Sequence, residues 1–151
     1  MRVCLKLLFL LLLSTRLISA EEIIQIDTPW INEAPPTIKI NAGYMQIKNN
    51  STESIELISA NSDVFERIEF HVTKVDDGIA KMIKQETISI PAHTIISFSP
   101  GGYHLMMFNS KEPVRAGDYV PIELIFSNQL NYRVNAEVKR INFNDHHNHL
   151  E

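Results

Sequence analysis

Beyond residue 36 the chain alternates in twos. Apolar residues recur at every second position in short runs, and turn-forming residues separate the runs. This is the pattern of half-buried β-strands. In the first run Ile38, Ile40, Ala42, Tyr44 and Gln46 share a face, with Lys39, Asn41, Met45 and Lys48 among the other positions. Asn49-Asn50-Ser51 then turns the chain. Further strands are expected over residues 55–60, 67–75, 79–84, 87–90, 94–99, 103–108, 121–126 and 132–141, the last two forming a closing hairpin. Asp77-Gly78 suits the left-handed positions of a type I′ turn, Pro100-Gly101-Gly102 reads as a tight turn, and residues 112–118 form a polar loop. Residues 21–36 read as an irregular lead-in that starts with Ile23-Ile24-Gln25-Ile26 and ends at Ala34-Pro35-Pro36. Its Trp30, the only tryptophan, is expected to plug one end of the core. No stretch holds a 3.6-residue period for three turns, and there is no internal repeat. Many short strands with turns between them predict an all-β antiparallel Greek-key sandwich or barrel.

The first twenty residues depart from this pattern. Arg2 and Lys6 precede an apolar run over residues 7–13, and Ile18-Ser19-Ala20 offers a small-residue cleavage site. These are the parts of an export signal. A retained anchor is the alternative, but the run is far shorter than the ~20 residues that span a bilayer, and Arg16 interrupts any longer helix. Cys4 lies too early, and without a small-residue box before it, to carry a lipid. The expected organisation is a signal peptide over 1–20, one domain over 21–143 and a polar His-rich tail over 144–151. Loss of the leader moves the formal charge from −4 to −7, with 11 basic residues facing 18 acidic ones. Such a balance argues against nucleic acid as partner. Cys4 is the only cysteine and leaves with the leader, so the domain must hold itself together by its core, without disulfides.

The candidate chemistry lies in His71, Met82, His104 and Met106. Ten residues separate the first two, twenty-one the next two and one the last two. A two-residue Asp77-Gly78 loop pairs Thr73 with Met82 and His71 with Lys84, which makes His71 and Met82 diagonal neighbours on one face. His104 and Met106, two apart on a strand, also share a face, while Met107 points to the core. Imidazole and thioether suit a soft ion such as Cu(I). Taken singly, a strand methionine is a common core filler and a histidine a common surface residue. On chemistry alone both readings stand. In the tail, His146, His147 and His149 form a candidate Cu(II) chelate or simply a solvated end.

The ordered pattern His-x10-Met-x21-His-x-Met resembles the signature of the periplasmic copper chaperones of the PCu(A)C family. Trp30 with Ala34-Pro35-Pro36, Gly43-Tyr44-Met45 with Asn49, Asp77-Gly78 before Lys81-Met82, Ile90-Pro91-Ala92 and Pro100-Gly101-Gly102-Tyr103-His104 are similar to it as well. The likeness covers about residues 26–127; His93 stands where glycine is more usual and is read as a surface residue. The resemblance implies a cupredoxin-like domain in the periplasm. It also implies Cu(I) held by His71, Met82, His104 and Met106, with delivery to the Cu(A) subunit of cytochrome c oxidase or to another copper assembly protein. A copper buffer or resistance protein needs the same ligands and is the rival. A blue-copper electron carrier needs a cysteine thiolate, and an enzyme needs a nucleophile–base set or an open metal position; neither is legible here. The mature chain is expected to be monomeric and not membrane-spanning. Met106, close behind a Gly-Gly turn, is expected to hold its sulfur near the end of the barrel and to be the easiest of the four to displace.

Overall fold

The structure is a computed structural model that describes residues 22–141; the leader and the His-rich tail lie outside the described residues. Ten strands follow in order: β1 (Ile24–Asn32), β2 (Ile40–Asn49), β3 (Ile55–Asn61), β4 (Phe65–Asp76), β5 (Ile79–Gln85), β6 (Ile88–Ile90), β7 (Ile95–Phe98), β8 (Tyr103–Ser110), β9 (Tyr119–Phe126) and β10 (Asn131–Lys139). No helix occurs among the described residues. Hydrogen bonding links the strands in the order β5-β4-β8-β7-β2-β1-β10-β9-β3-β6, and β8 also pairs with β2. Most neighbours are antiparallel; β1–β10 and the short β7–β8 contact are parallel. The sheet keeps two edges, β5 and β6, so it folds over as the expected cupredoxin-like sandwich and does not close into a barrel.

Period-two alternation explains which side chains meet inside. In β9, Val120, Ile122, Leu124 and Phe126 are buried while Glu123 is exposed. They join Phe70, Leu105, Met107, Met45, Ile47, Leu57 and Val138 in one core. Burial of each large apolar side chain contributes about 1.5–3 kcal/mol, and this core holds the fold without a disulfide.

Two expectations need correction. The lead-in is not irregular, because residues 24–32 form β1. A bulge between Asp27 and Trp30, with Thr28 at φ 47°, shifts the register by one. It lets Ile24, Ile26 and Ile31 all turn inward and breaks the alternation that would have revealed the strand. The same shift turns Trp30 to the outer face, where it packs on Tyr44 with ring centroids 4.5 Å apart and is only half-buried. In β2 the inward set is Asn41, Gly43, Met45, Ile47 and Asn49. The two asparagines are tolerated because they are satisfied: Asn41 Nδ2 donates to the Asn32 carbonyl at 2.9 Å, and Asn49 Nδ2 to those of Glu53 at 2.7 Å and Ile90 at 3.0 Å. A Cβ on Gly43 would stand 3.1 Å from Met107 Sδ and 3.3 Å from Leu105 Cβ. Glycine there lets β8 lie close against β2.

Candidate metal site

Strand β4 runs between β5 and β8 and brings the four candidates together. The Asp77-Gly78 turn has φ of 48° and 77°, and the resulting register pairs Thr73 with Met82 and His71 with Lys84, as the turn chemistry predicts. On the other side His71 lies directly opposite His104, and Glu69 opposite Met106. Cross-strand partners and alternate residues share a face, so His71, Met82, His104 and Met106 all project from the outer face. The intervening Phe70 and Leu105 point into the core and stiffen the sheet beneath them. The two imidazole centroids are 5.9 Å apart, their planes tilted by 31°. With metal–imidazole bonds of about 2 Å, rings at this separation can share one ion.

The hydrogen bonds decide which nitrogens are free. The Pro100-Gly101-Gly102 turn, with Gly101 at φ 82°, aims the Gly102 carbonyl at both strands. That carbonyl accepts from Thr73 N and from His104 Nδ1, each at 3.1 Å. A carbonyl only accepts, so Nδ1 carries the proton and Nε2 of His104 keeps its lone pair. His71 Nε2 lies 3.0 Å from Glu69 Oε2. Its Nδ1 is buried and has no hydrogen-bond partner, alone in this among the side-chain nitrogen and oxygen atoms of the described residues. A buried polar atom left in this state costs about 1–3 kcal/mol, unless something binds it.

Glu69 is the residue that sequence reasoning missed, although Glu-x-His on a strand puts both side chains on one face and could have signalled it. Its carboxylate also accepts from Arg67 Nε at 3.0 Å and Lys84 Nζ at 3.3 Å. The bond from His71, followed by those from Arg67 and Lys84, lowers its pKa to about 2 against the opposing effect of burial. Arg67 is braced in turn by the Phe108 ring, 3.9 Å away.

The thioethers differ from the expectation. Met106 is half-buried, whereas Met82 on edge strand β5 is 63% exposed. By strand spacings their Cα atoms are on the order of 15 Å apart, at opposite corners of the histidine pair. Met106 therefore lies with the histidines on the inner strands, and Met82 lies on the open edge. No three His, Cys, Asp or Glu side chains among the described residues converge as a metal-holding group. A ligand set completed by the two thioethers would suit a soft ion. His93 is exposed in a loop at φ 54°, apart from the site, and His146, His147 and His149 lie outside the described residues.

The fold is that of a PCuAC-type domain. The copper-bound PCuAC domain from PmoF2 superposes with a TM-score of 0.69 at 20% identity, over 81% of this chain and 97% of that one. The Cu(I) form of DR1885 from Deinococcus radiodurans gives 0.62 at 26% identity, over 81% of each. Residues 24–138 match the family described as "Putative lipoprotein LpqE-like", and the chain belongs to that family. The protein RP573 of Rickettsia prowazekii (strain Madrid E) is 31% identical over 136 residues, which span 85% of this chain and 74% of the relative.

Proposed function

We propose that this protein is an exported, periplasmic Cu(I) metallochaperone. His71, Met82, His104 and Met106 hold the ion as cargo, and copper passes to the Cu(A) site of cytochrome c oxidase or to one of its assembly factors. One observation carries the reading: the buried, partnerless Nδ1 of His71 beside a second imidazole whose Nε2 is free. Neutral imidazoles and thioethers stabilise Cu(I). Thioethers also form no disulfides in an oxidising compartment, where exposed thiols would pair. The Cu(I)-bound relative DR1885 supports the ion. The leader, together with a family described by a lipoprotein name, supports export. No helix of the described residues is long and apolar enough to cross a membrane. The exposure of Met82 favours delivery over storage, since an incoming ligand can displace that thioether first.

Anaerobic Cu(I) titration against a competing chelator tests the site, with the chain lacking residues 1–20 and again with residues 144–151 also removed. One tight equivalent should survive loss of the tail, and any Cu(II) held by His146, His147 and His149 should go with it. Absence of tight Cu(I) uptake refutes the proposal. Delivery is tested by mixing the Cu(I) form with an apo Cu(A) domain. The transfer rate should rise with acceptor concentration; a rate fixed at spontaneous dissociation makes the protein a copper buffer instead.

A further inference from the structure

We infer that Glu69 is the positioning residue of this site. Its carboxylate holds the His71 ring so that Nδ1, and not Nε2, meets the ion, and it draws two flanking cations away from the cargo. The copper half of this inference rests on the function proposed above; the ring geometry stands independently of it.

A carboxylate ionised at neutral pH only accepts hydrogen bonds, so at 3.0 Å from Oε2 the His71 Nε2 must carry a hydrogen. In a neutral imidazole the lone pair then falls on Nδ1, the atom left buried without a partner. At His104 the pattern is reversed, because the Gly102 carbonyl occupies Nδ1 and leaves Nε2. One histidine therefore offers the nitrogen nearest its backbone and the other the nitrogen at its tip. This mixed pair has two determinants, a backbone carbonyl and Glu69. An outer carboxylate on a metal-binding imidazole orients the ring and makes it a stronger donor.

The second oxygen of Glu69 has a separate task. Oε1 accepts from Arg67 Nε at 3.0 Å and Lys84 Nζ at 3.3 Å. Lys84 lies directly opposite His71 in the β4–β5 register, so an unrestrained ammonium would stand beside the imidazole and repel a bound cation. The arrangement also explains why a half-buried carboxylate is kept on this face: one oxygen orients the ligand while the other restrains its charged neighbours.

The test uses apo protein with 15N-labelled histidine and separate Cu(I) titrations. In the native chain the His71 Nε2 proton should be protected from exchange and seen on Nε2, with Nδ1 unprotonated. Glu69→Ala should expose that proton to rapid exchange, release the ring, and weaken Cu(I) binding by about 10- to 100-fold. Glu69→Gln, whose amide carbonyl still accepts, should keep the Nε2 proton signal and lose less affinity. Lys84→Leu in the Glu69→Ala background should recover only part of the loss, because it removes the repulsion without adding a ligand and leaves the ring free. A purely structural role for Glu69 would lower thermal stability and leave the His71 nitrogen signals in place. Retention of the protected proton in Glu69→Ala, or an unchanged Cu(I) affinity, overturns the inference. Should the native chain bind no Cu(I), the function reading fails, and the nitrogen spectra alone decide whether Glu69 holds the ring.

Discussion

The two ends of the site are built differently. His71, His104 and Met106 stand on inner strands whose opposite face is the hydrophobic core, and His104 is only 5% exposed. Met82 stands on an edge strand in a hairpin whose Val75, Ile79, Met82 and Ile83 are all exposed. The inner half is preorganised, because the sheet, the Gly102 carbonyl and Glu69 set its geometry before any ion arrives. In the outer half the backbone of β5 is held by its ladder to β4, but the Met82 side chain is exposed and packs on little. Under the proposed function, tight capture would draw on the first property and timely release on the second, a difference that follows from a central against an edge position in one sheet.

His104→Ala breaks the preorganised half. It should reduce Cu(I) affinity by about a hundredfold or more, since losing a ligand should exceed the 10- to 100-fold typical of losing a ligand's supporting partner. The fold should survive, because the Gly102 carbonyl keeps its bond from Thr73 N. Competition with a Cu(I) chelator, alongside thermal melting, measures both. Native affinity in this variant would place the ion elsewhere.

Met82→Leu probes the open half and should act more weakly. Volume is nearly conserved and the side chain is exposed, so the melting temperature should not move. Affinity should drop about tenfold, or about 1.4 kcal/mol, with most of the change in the dissociation rate. A loss as large as that of His104→Ala would mean that Met82 is as fixed as the histidines. No loss would remove it from the ligand set.

The parts of this arrangement visible in sequence were those determined locally. Asp77-Gly78 allows one hairpin register, and Thr73–Met82 and His71–Lys84 follow from it. His104 and Met106 share a face by simple alternation. The opposition of His71 and His104 is non-local: it requires β4 to pair with β8 across the intervening chain, and no spacing of residues specifies that. Which methionine is exposed depends on which strand is an edge, a property of the whole sheet. Strand β1, and with it the outward turn of Trp30, is hidden in the sequence because the bulge at Thr28 breaks the period-two signal. The copper reading of the pattern comes from the family resemblance, whereas the orphaned Nδ1 and the Glu69–His71 contact are visible only in three dimensions.

The smallest expected effects come from acid, and they separate site from fold. Protons compete with the ion for imidazole, so Cu(I) affinity should decline as pH falls from about 7 toward about 5. The fold should not follow in that range. Glu69 beside the site and Glu33 at the far end both have lowered carboxyl pKa values. Glu69 is bound by His71, Arg67 and Lys84, and Glu33 by Arg140 Nε at 2.6 Å and the Ala116 amide at 3.3 Å. A carboxyl whose folded pKa is depressed adds stability that is fully present above its unfolded value, near 4.3, and is lost as pH falls through the folded value. Apo-protein stability, read as a urea midpoint, should therefore stay level with respect to these two groups from pH 7 to about 5 and decline below that. The contribution of Glu69 should persist down to about pH 2. Glu69→Gln and Glu33→Gln should each flatten part of that decline below the unfolded value, both modestly, because the Arg140 and Lys84 partners are largely exposed to screening solvent. If midpoint and copper affinity instead fall together over that range, copper is being lost because the fold opens, and the division into a preorganised and an exposed half is wrong.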